Sequence, residues 1–385
     1  MNLKIYDETA VRNLQINSQA MTLLDEGNIT PPQYEQVKTA FPVLINQPNL
    51  FIRLGLFLFT YLCIGFAISF ISLLLNNWDF SGKGWGVLTV ILGIVLSLLN
   101  ERFIKMRYWY RQGSDNALCY GAVTCFVIGI SLIIRSDSLS TISLIAFVFI
   151  TFTAVRYGDP ILSFAAFYAL LYAFIFLVVE SQTPLMFLPV IGSVLSLLVY
   201  YFSKTALKND ALFYWEDCFK VLEIMSLVVL YGSINYFVVD KILLNNYETS
   251  ISTPYNWLFV VLTAVFPLAY LIVGIKNKNR ILWILGSLGV VASILTYRLY
   301  FSVMPIEWAL TLAGIFLLGL GFYLIKYLKT PQNGFIYSVK NSKSNFIESL
   351  VMNQLLQQSA QTGSPENNIK YGGGDFDGGG AGSEY

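Results

Sequence analysis

Histidine is absent from all 385 residues. The commonest general base and the commonest ligand of borderline metals are therefore missing together. Charge is scarce as well. Asp, Glu, Lys and Arg make up 12% of the chain, about half of what a soluble domain carries, and they nearly cancel to a net charge of +1. No global field recruits nucleic acid or an acidic partner. The four cysteines, Cys63, Cys119, Cys125 and Cys218, contain no CxxC pair, so no disulfide framework or metal set is implied. Three of them fall inside apolar runs and read as small core residues. HExxH, GxSxG and the phosphate-loop frame do not occur, and no cofactor is expected. Residues 1–50 lack the basic-then-apolar pattern of a signal peptide, so the first apolar run is expected to act as both address and anchor.

What the chain has in abundance is apolar sequence. Ten runs cover residues 51–75, 84–99, 117–134, 139–155, 160–179, 184–202, 221–239, 256–275, 281–299 and 308–325. Their lengths are near the ~20 residues that a helix needs to cross a hydrocarbon core. The expected fold is an all-α, polytopic integral membrane protein with about ten transmembrane helices.

The positive charges sort to one side of these runs. Assigned alternately, 20 of the 24 Lys and Arg fall on the side that holds the N-terminal region, leaving Lys83, Arg135, Lys241 and Arg298 opposite. Basic loops stay in the cytoplasm during insertion, so both termini are expected there and the cytoplasmic (inner) membrane is the expected location. Omitting any one run would move every later loop across and destroy the split. That argument retains the second run, which is short, and the fourth, which is rich in Ser and Thr. Trp85, Trp109, Trp257, Trp283 and Trp308 lie at or near run ends, where indole rings prefer the interface.

Four regions follow: a cytoplasmic helical hairpin (1–50), a ten-helix transmembrane domain (51–326), a cytoplasmic segment with an amphipathic helix (327–362) and a disordered Gly-rich tail (363–385). In the first, a helix is expected over 6–26. Gly27 suits a left-handed cap, and Thr30, Pro31 and Gln33 suit the start of a second helix over 31–40, ended by Pro42. The run Leu23-Leu24-Asp25-Glu26-Gly27-Asn28-Ile29-Thr30-Pro31-Pro32-Gln33-Tyr34-Glu35 resembles the hairpin of short SHOCT-type modules. It is similar to the one that opens a family of uncharacterised bacterial polytopic membrane proteins. The resemblance covers this short stretch only, and it implies a protein–protein or self-association element. Near the other end, Phe346, Ile347, Leu350, Val351, Leu355 and Leu356 would share one helical face, and the glycines after 363 bury too little surface to order.

Ionisable groups deep in a membrane are costly and usually functional, yet the middle turns of the ten runs hold none. Candidates sit near run ends. Glu223 reads either as a proton- or cation-binding carboxylate at a cavity mouth or as an interfacial residue paired with Lys220 one turn back. Arg298 either snorkels to the outer interface or pairs with Glu307 or Glu180. Arg156 and Asp159 flank the short turn Arg156-Tyr157-Gly158-Asp159-Pro160, where they close the turn or form a site or gate. The loop from Arg102 to Arg111 interleaves basic and aromatic residues, which anchors topology or holds an anionic headgroup. Deep polar groups are neutral, among them Asn235, Ser233 and Thr263. Small residues recur every four positions at Ala117, Gly121, Cys125 and Gly129, with shorter repeats at Gly192/Ser196 and Gly289/Ser293, as close-packed helix faces require. Pro267 is expected to kink its helix.

The function expected from these features is a scaffold, assembly or accessory role at the cytoplasmic membrane. Its partners would be membrane lipids and a protein or second copy met through residues 1–50 and 343–385. A transporter or flippase of a neutral or lipid-like substrate is the alternative, weakened by the lack of a buried carboxylate. An intramembrane transferase comes third, since no catalytic set is visible.

Overall fold

The structure is a computed structural model that describes residues 4–75 (except 26, 44, 46 and 47), 81–135, 137–243, 256–277, 279–301 and individual residues between 307 and 326. The chain divides into two units, 1–342 and 343–385. All of the second lies outside the described residues, including the expected amphipathic helix and glycine tail. No strand occurs among the described residues.

Among the described residues twelve α-helices run in order: α1 (Glu8–Asp25), α2 (Pro31–Ala40), α3 (Leu50–Leu75), α4 (Gly82–Arg107), α5 (Ser114–Ile134), α6 (Leu139–Tyr157), α7 (Pro160–Glu180), α8 (Leu188–Ala206), α9 (Glu216–Ile234), α10 (Tyr236–Leu243), α11 (Asn256–Lys276) and α12 (Arg280–Phe301). Eight of these, α3 to α8 with α11 and α12, are long and apolar enough to cross a membrane. They correspond to eight of the ten apolar runs. The tenth run appears as isolated helical positions between 307 and 326, and the rest of it lies outside the described residues.

Polar residues set the helix starts. The side chains of Ser81, Ser138 and Asp159 accept backbone N–H groups that open α4, α6 and α7, each cap contributing roughly 1 kcal/mol. In the N-terminal hairpin, Gly27 takes a left-handed φ of +69°, and Gln33 Oε1 accepts the Thr30 N–H at 2.8 Å where α2 begins.

Sequential helices pair as hairpins: α4 with α5, α6 with α7, α8 with α9 and α11 with α12. α3 lies against α5. In a membrane, apolar burial gives little drive for helix association, so close approach must supply packing energy. The small residues provide it. A Cβ on Gly86 would lie 2.7 Å from the Gly129 carbonyl oxygen, and one on Gly192 would lie 2.5 Å from Ser233 Oγ. Gly113, at φ +100°, brings its loop so close to the first turn of α3 that a Cβ would sit 2.1 Å from Arg53 O. α3 otherwise buries only Ile64, which packs against Gly121.

One expectation changes. The seventh run is not one continuous helix. α9 stops at Ile234, and Asn235 is extended (φ −64°, ψ 125°). The reason is a side chain competing with the helix: Asn235 Oδ1 accepts the N–H groups of Phe237 and Val238 (3.0 and 3.4 Å), starting α10 afresh. The Tyr236 N–H, cut off from the helix ladder, donates to Thr263 Oγ1 at 2.8 Å. Pro267, for its part, sits inside α11 without ending it. A proline has no N–H to give the carbonyl four residues back. That carbonyl belongs to Thr263, and Ser293 Oγ of α12 donates to it at 2.6 Å.

Candidate functional site

The loops 108–113, 156–159 and 207–215 meet the N-terminal segment at one end of the bundle, the hairpin end. Their meeting point is the turn after α6. Gly158 closes that helix at φ +58°, and a Cβ there would lie 2.9 Å from Tyr214 Cε1. Only glycine combines this left-handed backbone with that contact.

The turn offers carbonyls that leave the α6 ladder, and distant parts of the chain use them. Val155 O accepts Trp215 Nε1 at 2.7 Å, and Arg156 O accepts both Tyr214 Oη at 3.0 Å and the Ile5 N–H at 3.2 Å. Gly158 O accepts Arg111 Nη2 at 2.7 Å. Arg111 itself has a positive φ of 50°, a cost of ~1 kcal/mol that its second bond, Nη1 to Asp217 Oδ2 at 2.8 Å, helps to offset. Arg156 Nε donates to Glu101 Oε1 at 2.7 Å. Asp159 caps α7 through Ile161 N (2.7 Å) and Leu162 N (3.3 Å), and its other oxygen accepts Tyr120 Oη at 2.8 Å. Arg156 and Asp159 thus tie the turn to α4 and α5, which is a wider role than closing it on itself. Asn100, fully buried on α4, makes no well-formed side-chain hydrogen bond, and the Tyr157 hydroxyl is the polar group beside it.

A second carboxylate site adjoins this turn. Asp115, 1% exposed, lies in the first turn of α5. Its Oδ1 accepts the N–H groups of Gly113 and Asn116, both at 3.0 Å, and its Oδ2 accepts Tyr6 Oη at 2.9 Å. Burial, reinforced by the Asp115 charge, raises the Tyr6 phenol well above 10.0. Burial also raises Tyr110 and Tyr214. Nearby, the Lys4 ammonium lies 4.9 Å from the Trp215 ring centre and 5.4 Å from that of Tyr214, while Arg12 lies over Phe213. Chemically, each of these acids has fixed donors, so the layer is built to hold chain segments together. No group of three or more His, Cys, Asp or Glu among the described residues is placed to hold a metal ion.

The other expected residues lie elsewhere. Glu223 does not pair with Lys220, whose ammonium binds Glu216 at 2.6 Å, one turn earlier. Glu223 is buried, 5% exposed, within electrostatic reach of Lys204, which donates to Tyr200 Oη at 3.0 Å. Asn235 belongs to a polar core among α9, α11 and α12. Its Nδ2 donates to Tyr231 Oη at 2.9 Å and contacts Thr296 Oγ1 at 3.2 Å, and Tyr231 Oη lies 2.9 Å from Ser293 Oγ. Arg298 is half-buried and makes no ion pair among the described residues. The expected partner Glu180 is occupied, its carboxylate accepting Ser138 Oγ, Ser140 Oγ and Ser140 N.

Sequence reasoning passed over Asp115, Tyr6, Asp217 and Tyr214, and it read Arg111 only as part of a basic and aromatic loop. Asp115 carried a usable signal, an acid just after Gly113-Ser114 at the head of an apolar run, where a helix N-terminus favours a carboxylate. Tyr6 carried none, because its partner is 109 residues away.

No protein-family model matches the chain, and neither a curated protein nor a solved structure matches it. The fold alone defines the class: an all-helical protein whose eight long apolar helices suit a multi-pass membrane protein.

Proposed function

We infer that the chain is a ten-span protein of the cytoplasmic membrane, with both termini in the cytoplasm, that serves as a scaffold or assembly factor through its N-terminal hairpin. One observation carries this reading. α2 has no buried residue, yet it stands on α1, and the segment that leads into α1 is bonded to the bundle through Tyr6, Ile5 and Lys4. A surface held so firmly and left uncovered by the described residues is what a docking platform requires. The resemblance of residues 23–35 to SHOCT-type hairpins points to the same role. The residues 343–385 are the second proposed contact.

The alternative, transport of a neutral or lipid-like substrate, draws on the helix break at Asn235, since broken helices mark binding sites in many transporters. Against it, Asn235, Thr263, Ser293 and Thr296 at this break are buried and hydrogen-bonded within the protein. A photo-crosslinking residue in place of Gln36 on α2 is expected to trap a defined protein partner or a second copy in the native membrane, while one in place of Gln182 at the opposite end traps none. Equal adducts at both positions, or none at either, would overturn the scaffold reading.

A further inference from the structure

At the hairpin end of α4, a cavity of about 180 Å³ lies between the N-terminal segment and the loop that follows the helix. The residues that line it include the aromatic Tyr6, Tyr108, Trp109 and Tyr110 together with one acid, Asp7, and one base, Lys105. Neither charge is in an ion pair among the described residues; Asp7 accepts one backbone N–H, from Thr9 at 3.0 Å. Below the cavity, Ile91, Val95, Leu99 and Phe103 are exposed on α4. Steps of four put them on one ridge of the helix, and the uppermost, Phe103, stacks on Trp109 with ring centres 5.4 Å apart.

We propose that this cavity binds the headgroup of a zwitterionic phospholipid bearing a primary or quaternary ammonium, with an acyl chain lying along the α4 ridge. The phosphate meets Lys105, and the ammonium sits between Asp7 and the aromatic faces, whose quadrupoles attract cations. A purely anionic headgroup would satisfy Lys105 equally well but would leave Asp7 without a counter-charge. A water-soluble phosphodiester would leave the apolar ridge unused, which is why a lipid is the ligand rather than a free metabolite. The exposed Arg102 and Arg107 on the same helix end anchor topology and take no part in the selection.

Native mass spectrometry of the full-length protein in detergent tests the proposal, with phosphatidylethanolamine and phosphatidylglycerol of identical chains at equal concentration. The wild type is expected to retain the ethanolamine lipid about fivefold more than the glycerol lipid, as befits one partly exposed charge contact. Asp7→Asn is expected to abolish that preference, and Lys105→Gln to weaken retention of both lipids. Asparagine caps a helix as well as aspartate does, so α1 is preserved, and an unchanged thermal midpoint checks it. Equal retention of the two lipids by the wild type would overturn the proposal, as would wild-type selectivity in Asp7→Asn. Competition by soluble glycerophosphoethanolamine as effective as that by the lipid would overturn the role of the ridge.

Discussion

Asp115 shows how a single buried carboxylate can hold two parts of a chain together. Two of its donors are backbone N–H groups at the start of its own helix, where the partial positive charge of the helix N-terminus favours the anion. The third is Tyr6, the link to the N-terminal segment. Hydrogen bonds to charged groups are worth about 1.5–3 kcal/mol, so Tyr6→Phe is expected to lower stability by that amount, read as a drop in the thermal midpoint in detergent and as faster proteolysis within residues 1–50. The bond also has a pH signature. The phenol is raised in the folded state, so the protonated form is favoured there. Its contribution is complete below the ordinary tyrosine value of 10.0 and is lost as pH rises through the higher folded value. Above pH 10, then, the wild type should lose stability more steeply than Tyr6→Phe. Parallel curves for the two proteins would remove Tyr6 from the account.

Among the helices, the interrupted pair α9 and α10 and the proline-containing α11 solve one problem from two sides. Each leaves a backbone group without its helical partner in a region with little water, where an unmet N–H or C=O costs several kcal/mol. Thr263 answers both. Its hydroxyl accepts the Tyr236 N–H released by the break, and its carbonyl, freed by Pro267, takes the Ser293 hydroxyl. Thr263→Val keeps the shape of the side chain and removes the acceptor. It is expected to cost about 1–3 kcal/mol, while Ser287→Ala, whose exposed hydroxyl only bonds back to Trp283 O, should fall within about 0.5 kcal/mol. Equal effects of the two in chemical denaturation would mean that the break is not held by Thr263. Periodicity shows an unbroken apolar run across 221–239 because Asn235 is one polar residue in it. That the run breaks there depends on α11 presenting a hydroxyl at the same level.

For the molecule as a whole, the charge split and the packing agree on which segments lie together. The N-terminal region, the loop around Arg111, the Arg156 turn and the segment around Tyr214 were grouped by counting Lys and Arg, and they meet through hydrogen bonds at one end of the bundle. Glu180 with Ser138 and Ser140 marks the other end. Which end faces the cytoplasm rests on the positive-inside argument and is open to test in a cysteine-free background. A membrane-impermeant maleimide added to intact cells is expected to label Asn245→Cys and to label Tyr108→Cys only after permeabilisation. The reverse pattern would invert the topology. Position 113 in the same loop is unsuited to the probe, since any Cβ there meets Arg53 O.

Apolar run length, the sorting of Lys and Arg and the four-residue spacing of small side chains fixed the helical membrane class, the grouping of loops and the faces on which helices meet. These are properties of a chain inserting into a bilayer, and each is written in consecutive residues. The polar layer at the hairpin end and the core around Asn235 were decided by tertiary structure. Their bonds join residues tens to more than a hundred positions apart, and no local pattern records which hydroxyl will stand opposite which carboxylate. Glu223 shows the limit most plainly: spacing placed Lys220 beside it, but helix rotation gave Lys220 to Glu216 and turned Glu223 inward to α8.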